Sequence, residues 1–220
     1  ELEKNKSAEQ KIVVFGCLPH TAYDHLRNSF SGEIISVREL SELAKQLNIT
    51  TTERQIGYSI SRQLKKADRL NYWLNKFFIH DPYLGFLSGE PAFYLNIARG
   101  CRGACAYCLE KTARGSLVSR SVAEVKAAFQ SGSAQGFKIF SLNGDDVGVF
   151  GLDQGENIAG LLAELLSVYG DFKLILTEFN PWGLIRHQAE LAKLLISPKI
   201  AHITIPLQSG ADKILRAMNR

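Results

Sequence analysis

Ile12, Val13, Val14 and Phe15 form an unbroken apolar run that stops at Gly16 and Cys17, so Lys11 to Phe15 reads as a short buried strand. Thr21 to Phe30 then reads as a helix ended by Ser31 and Gly32, Ile34 to Val37 as a second strand, and Arg38 to Leu47 as a second helix. Thr50, Thr51 and Thr52 ahead of Glu53 resemble a helix start, and Ile56, Ile60, Leu64, Ala67, Leu70 and Leu74 carry helical spacing on to Phe78. Arg62, Lys65, Lys66 and Arg69 make a basic stripe on that helix, which suits a solvated face and also a phosphate contact. His80 to Pro91 holds Pro82, Gly85, Gly89 and Pro91, and a domain boundary is expected there, dividing residues 1–80 from 81–220.

From Ala92 onward apolar strands alternate with amphipathic helices, the pattern of a parallel sheet built from right-handed βα units. The expected strands are Ala92 to Ala98, Phe137 to Leu142, Phe172 to Leu176 and Ile200 to Leu207. Ser121 and Glu124 have the spacing of a capping box, and Ile158, Leu161, Leu162, Leu165 and Leu166 form the apolar face of the next helix. A third helix is expected from about Leu184 to Ile196 and a fourth from Ala211. A closed eight-unit barrel takes about 250 residues, so four units predict a partial (βα) barrel. The expected fold is therefore α/β: a partial barrel with a parallel sheet over 81–220, preceded by a small incomplete α/β domain and linker helix over 1–80.

Composition adds bounds. With 220 residues and 45% hydrophobic content the chain can bury a sizeable core, and no apolar run approaches the roughly 20 residues that span a bilayer. The first ten residues are polar and not signal-like, so the expectation is a cytoplasmic protein with no membrane partner. A net charge of +4 is compatible with a polyanionic partner but too small to identify one.

The cysteines change the picture most. Three of the four, Cys101, Cys105 and Cys108, fall in eight residues at CxxxCxxC spacing directly after the first strand of the sheet, the edge where parallel α/β folds place ligands. Such crowding argues for metal over a disulfide framework. Three thiolates can hold three irons of a 4Fe-4S cluster and leave the fourth open to a small molecule, whereas clusters that only carry electrons usually have four cysteine ligands. Gly100 and Gly103 would let the loop curl around a cluster, Tyr107 offers a flat face to an aromatic ligand such as adenine, and Arg99 and Arg102 add positive charge. A zinc site completed by Cys17 or a histidine is the alternative, and a zinc-stabilised binding module would follow from it.

CxxxCxxC with an aromatic residue before the third cysteine resembles the signature of radical S-adenosylmethionine (radical SAM) enzymes. Ala113-Arg114-Gly115 with Ser119-Arg120, the segment Leu142 to Gly148, and the segment Pro206 to Arg220 are together similar to the methylthiotransferase family within it. The resemblance covers about residues 11 to 220. It implies a radical SAM barrel, a 4Fe-4S cluster on Cys101, Cys105 and Cys108, S-adenosylmethionine on the open iron, and methylthiolation of a modified adenosine in tRNA near the anticodon. Gly144, Asp145 and Asp146 correspond to the turn that binds the methionine amino group, with Glu178 and Gln208 placed for the ribose or methionine part. Arg114 and Arg120 could hold a carboxylate or phosphate bidentately, or form helix-end salt bridges.

The family also carries a second 4Fe-4S cluster on N-terminal cysteines, and here only Cys17 is available as a possible ligand. The expectation is a chain truncated at both ends. tRNA is the implied partner, with a flavodoxin- or ferredoxin-like electron donor; a radical SAM enzyme acting on a ribosomal protein or other peptide side chain is the alternative substrate reading. The catalytic residues and the oligomeric state are unknown at this point.

Overall fold

The computed structural model describes residues 12–36, 38–46, 48, 58–60 and 92–220. Strand β1 (Val13–Gly16), helices α1 (Leu18–Thr21) and α2 (Tyr23–Ser29), strand β2 (Glu33–Ser36) and helix α3 (Leu40–Gln46) form the N-terminal α/β unit. β1 and β2 pair in parallel, with Val14 opposite Ile34 and Phe15 opposite Ile35. Pro19 sits in the first turn of α1, where an amide N–H would lack an intrahelical partner anyway.

Strand β3 (Tyr58–Ile60) contradicts the helix expected over Ile56 to Phe78, because it pairs antiparallel with β4 (Ala92–Asn96) at the edge of the main sheet. Pairing at an existing sheet edge satisfies backbone groups in a way that side-chain spacing does not reveal. The basic stripe, the rest of the expected linker helix and the turn-rich segment up to Pro91 lie outside the described residues. β3 also comes from before the expected 80/81 division, so the sheet draws on both sides of it.

Beyond β4 the order is β5 (Ala98–Arg99), α4 (Glu110–Arg114), β6 (Val118–Ser119), α5 (Val122–Ala134), β7 (Ile139–Asn143), a 3-10 turn (Val147–Val149), α6 (Ile158–Leu166), β8 (Lys173–Leu176), α7 (Pro181–Arg186), α8 (Gln188–Leu195), β9 (Ile200–Ile203) and α9 (Asp212–Ala217). The sheet order is β3-β4-β7-β8-β9, with parallel pairing from β4 through β9. This is the expected α/β class, a partial barrel preceded by a smaller α/β region. The single helix expected near Leu184 to Ile196 is divided at His187, whose φ of −116° and ψ of 27° leave the helical region.

The two faces of the sheet differ. Phe93, Leu95, Phe140, Leu142, Leu174 and Leu176 pack with Val125 and Phe129 of α5 and Leu161, Leu162 and Leu165 of α6 in the main core. The Phe129 ring centroid lies 4.2 Å from that of Phe140 and 4.8 Å from that of Phe172. Gly132 is what lets α5 approach, since a Cβ there would stand 2.8 Å from the Phe140 ring. The other face carries Ala92, Ile139 and Ile175 with Tyr94, one residue out of phase as a strand period of two requires. α5 is opened by the expected capping box: Glu124 N–H donates to Ser121 Oγ at 3.3 Å and Ser121 N–H donates to Glu124 Oε2 at 3.0 Å.

Candidate functional site

The cysteine segment leaves the sheet after β4 and is tied at its base by β5 and β6, with Ala98 opposite Ser119 and Arg99 opposite Val118. Gly100 makes the first bend at φ +74°, where a Cβ would stand 2.2 Å from the Ser116 carbonyl oxygen. Gly103 faces the sulfurs: its N–H donates to Cys101 Sγ at 3.1 Å, and a Cβ would lie 3.3 Å from Cys101 Sγ and 3.8 Å from Cys105 Sγ. Its missing side chain leaves open the space beside both thiols. Cys101, Cys105 and Cys108 are all half-buried free thiols.

Three other segments brace this loop. Lys111 Nζ of α4 donates to the Gly103 carbonyl. Arg114 Nε lies 3.2 Å from Asp145 Oδ1, while Asp145 Oδ2 accepts from Gly100 N–H at 2.6 Å. From the C-terminal segment, the Met218 carbonyl accepts from Ala106 N–H at 2.9 Å, Asn219 Nδ2 donates to the Ala104 carbonyl at 2.8 Å, and an Arg220 guanidinium nitrogen donates to Tyr107 Oη at 3.0 Å. The N-terminal unit reaches α4 as well, where the Arg38 side chain donates to the Thr112 and Ala113 carbonyls.

Asp146 is the buried member of the site, 3% exposed. Its Oδ1 accepts from Gly148 N–H at 3.0 Å and Asn180 N–H at 3.3 Å, and its Oδ2 faces Cys101 Sγ at 3.7 Å. Burial pushes its carboxyl above the ordinary range, opposed by those hydrogen bonds. The Cys101 thiol is pushed up to about 11, chiefly by burial, with the Gly103 N–H opposing and the Asp146 charge adding to the rise.

A cleft of about 170 Å³ gathers most of the expected residues: Cys101, Cys105, Tyr107, Cys108, Asp145, Asp146, Glu178 and Gln208 all line it. Gly144 is not among the lining residues; a Cβ on it would stand 3.2 Å from the Ala98 carbonyl oxygen, so a glycine there lets the Asp145-Asp146 turn approach β5. Glu178 and Gln208, beyond the ends of β8 and β9, have φ of 49° and 66°, left-handed values that non-glycine residues adopt at a cost. Arg114 lines the cleft but is paired with Asp145, as in the salt-bridge alternative. Arg120 is not among the lining residues; its N–H donates to the Ile97 carbonyl at 2.9 Å. Cys17 stands at the start of α1, which packs against α4, and it too lies outside the cleft lining.

Sequence reasoning missed Asn180, Lys111 and Arg220, which also line the cleft. Asn180 had a legible signal, an Asn before Pro181: its Oδ1 accepts from Trp182 N–H at 3.1 Å and caps α7.

The donor set fits an iron-sulfur cluster. A half-buried thiol beside a carboxylate holds its proton unless a cation replaces it, and iron supplies that charge. Among the described residues no three Cys, His, Asp or Glu side chains converge on a single ion. A cluster asks for a different spacing, because each thiolate binds its own iron. Carboxylates and cations on the same cleft wall suit a zwitterionic ligand with ammonium and carboxylate ends.

A family model described as the radical SAM superfamily matches residues 95–220, more than half of the chain, and the chain belongs to that superfamily. Among curated proteins it is 29% identical over 212 residues to the probable threonylcarbamoyladenosine tRNA methylthiotransferase of Pyrococcus abyssi, covering 96% of this chain and 47% of that protein. It is 30% identical over 236 residues to the threonylcarbamoyladenosine tRNA methylthiotransferase of Homo sapiens, covering 100% of this chain and 37% of that one. The chain thus spans about half the length, or less, of these relatives. A solved radical S-adenosylmethionine methyltransferase, TsrM from Kitasatospora setae with cobalamin and a 4Fe-4S cluster bound, aligns with a TM-score of 0.44 and 19% identity over 56% of this chain and 23% of that chain. No helix among the described residues is long and apolar enough to cross a membrane.

Proposed function

We propose that this radical SAM superfamily member holds a 4Fe-4S cluster on Cys101, Cys105 and Cys108, binds S-adenosylmethionine in the adjoining cleft, and serves the methylthiolation of threonylcarbamoyladenosine in tRNA. One observation carries the reading: the three thiols, from the segment after β4, share a cleft with Asp145, Asp146, Glu178 and Gln208, which follow the three neighbouring parallel strands β7, β8 and β9. The substrate comes from the similarity to the archaeal and human relatives along nearly the whole chain.

A cluster held by Cys101, Cys105 and Cys108 would supply one-electron reduction chemistry to S-adenosylmethionine bound in the cleft. The chain's own residues bind and orient. Asp145, held by Arg114 and Gly100 N–H, faces the methionine ammonium with a carboxylate that cannot swing away. Tyr107, fixed at its hydroxyl by Arg220, presents its ring to the adenine. Glu178 and Gln208, at left-handed bends on the cleft, would hydrogen-bond the ribose or methionine part. The loop, α4 and the last three residues keep these groups in register before ligand arrives.

In this reading residues 81–220 are the radical SAM core with Tyr58–Ile60 as an added edge strand, and Cys17 contributes to a second cluster. Mass spectrometry of tRNA nucleosides tests the substrate. Cells lacking the gene should lose the methylthiolated nucleoside and keep its threonylcarbamoyl parent; an unchanged nucleoside profile overturns the assignment.

A further inference from the structure

Helix α4 begins two residues after Cys108 and carries two braces of the cysteine loop, Lys111 to the Gly103 carbonyl and Arg114 to Asp145. It has five residues, too short to be stable alone. Its last carbonyls need donors from elsewhere. The Lys111 carbonyl accepts from Gly115 N–H at 2.9 Å. The next two, those of Thr112 and Ala113, accept from the Arg38 guanidinium, with Nε 2.8 Å from the Ala113 oxygen. Arginine suits this place because its planar fork reaches two acceptors and its charge complements the negative end of the helix. Gly115 leaves room for it: a Cβ there would stand 3.2 Å from an Arg38 guanidinium nitrogen. Arg38 itself stands on a fixed turn. β2 ends at Ser36, whose N–H donates to Glu39 Oε2 at 3.0 Å and whose carbonyl accepts from Glu39 N–H at 2.9 Å. Arg38 N–H donates to Ser36 Oγ at 3.3 Å, and α1 of the same unit packs against α4.

We infer that Arg38, from the N-terminal unit, is a positioning residue for S-adenosylmethionine: it holds the end of α4, α4 aims Arg114, and Arg114 sets the direction of the Asp145 carboxylate. The inference rests on the proposed cofactor reading of the cleft. Asp145 has two tethers, Arg114 Nε at 3.2 Å and Gly100 N–H at 2.6 Å, and the first depends on α4. Without Arg38 the carboxylate stays beside the loop but loses its set direction, so the ligand's ammonium end is held more weakly. The thiols keep their places. The loop is tied independently by β5 and β6 and by Met218 and Asn219, and the flexible stem of Lys111 can follow a shifted helix.

The test has a metal-free and a reconstituted arm. In the metal-free chain, Ala113 N–H donates to the Leu109 carbonyl and Gly115 N–H to that of Lys111, and hydrogen exchange over 109–115 should quicken in Arg38→Ala. In the anaerobically reconstituted chain, Arg38→Ala should keep its iron content and bind S-adenosylmethionine about fivefold or more weakly in equilibrium dialysis, the loss that goes with a hydrogen bond or two. Arg38→Lys should fall between, since an ammonium lacks the fork that serves both carbonyls. In an Arg114→Ala background, Arg38→Ala should cost nothing further, because the link it acts through is gone. A merely structural role would add its loss in either background. Arg38→Gln serves if Arg38→Ala misfolds. Unchanged exchange, unchanged cofactor affinity, a loss that adds in full to that of Arg114→Ala, or iron lost along with the cofactor overturns the inference. Failure of the cofactor reading is distinct because it shows in the unsubstituted chain, which would bind no iron or no S-adenosylmethionine and would take this inference with it.

Discussion

Cys101 and Asp146 meet through one carboxylate oxygen only: the thiol lies 3.7 Å from Oδ2, while both backbone N–H groups that fix Asp146 fall on Oδ1. The two oxygens are therefore separable. In Asp146→Asn the side-chain oxygen can keep both backbone bonds, and an NH2 group replaces the oxygen facing sulfur.

That substitution removes a negative charge and a thiol-bond acceptor, both of which favour the protonated thiol. The Cys101 pKa in metal-free protein should fall from about 11 toward its ordinary 9.0, stopping short of it because burial, the largest cause, remains. The pH dependence of anaerobic alkylation at Cys101 measures this, and an unchanged or higher value contradicts the geometry.

Gly100 and Gly103 should fail differently. Gly100→Ala combines a left-handed φ with a backbone collision at 2.2 Å, so the loop cannot close and iron loading should be largely lost. Gly103→Ala meets only sulfur, at 3.3 Å, and should retain the fold while lowering the iron bound per chain. Iron analysis beside circular dichroism checks both; full loading of Gly100→Ala would refute the account of the bend.

Gly132 offers a test away from the site. Gly132→Val places its Cβ 2.8 Å from the Phe140 ring and 3.0 Å from that of Phe93, which overpacks the main core. Chemical denaturation should show a loss of about 1–3 kcal/mol.

Asp153 supplies a pH signature. Burial is the largest single influence on its carboxyl and raises it, but hydrogen bonds from the Ser119 side chain and backbone, among others, together outweigh that and leave it below the ordinary range. A depressed folded-state pKa stabilises above the unfolded value of about 3.9 and loses its effect as pH falls through the folded value. Asp153→Asn should therefore melt earlier than the parent at pH 7, with the two melting curves converging as pH drops below about 4. A gap that persists at low pH would assign the effect to packing.

The sequence revealed most where physics is local. The capping box of Ser121 and Glu124, the α6 apolar face and the strands β4, β7, β8 and β9 were legible because periodicity and caps belong to neighbouring residues. The three cysteines were legible as a group because they fall on one loop, and that loop lines the cleft. What remained hidden depends on distant partners. Tyr58–Ile60 is a strand through its pairing with β4, the Arg114 alternatives were decided by Asp145, and Arg220 reaches Tyr107 across 113 residues. The close approach of Gly144 to Ala98 is likewise something that only folding reveals.

The central claim is that Cys101, Cys105 and Cys108 hold a 4Fe-4S cluster with one iron open to S-adenosylmethionine. Electron paramagnetic resonance of the anaerobically reconstituted, dithionite-reduced chain, recorded with and without S-adenosylmethionine, tests it most directly. The account predicts a reduced-cluster signal that changes shape when S-adenosylmethionine is added and is lost in Cys105→Ala. No such signal with one equivalent of zinc bound, or the same signal undiminished in Cys105→Ala, would contradict it.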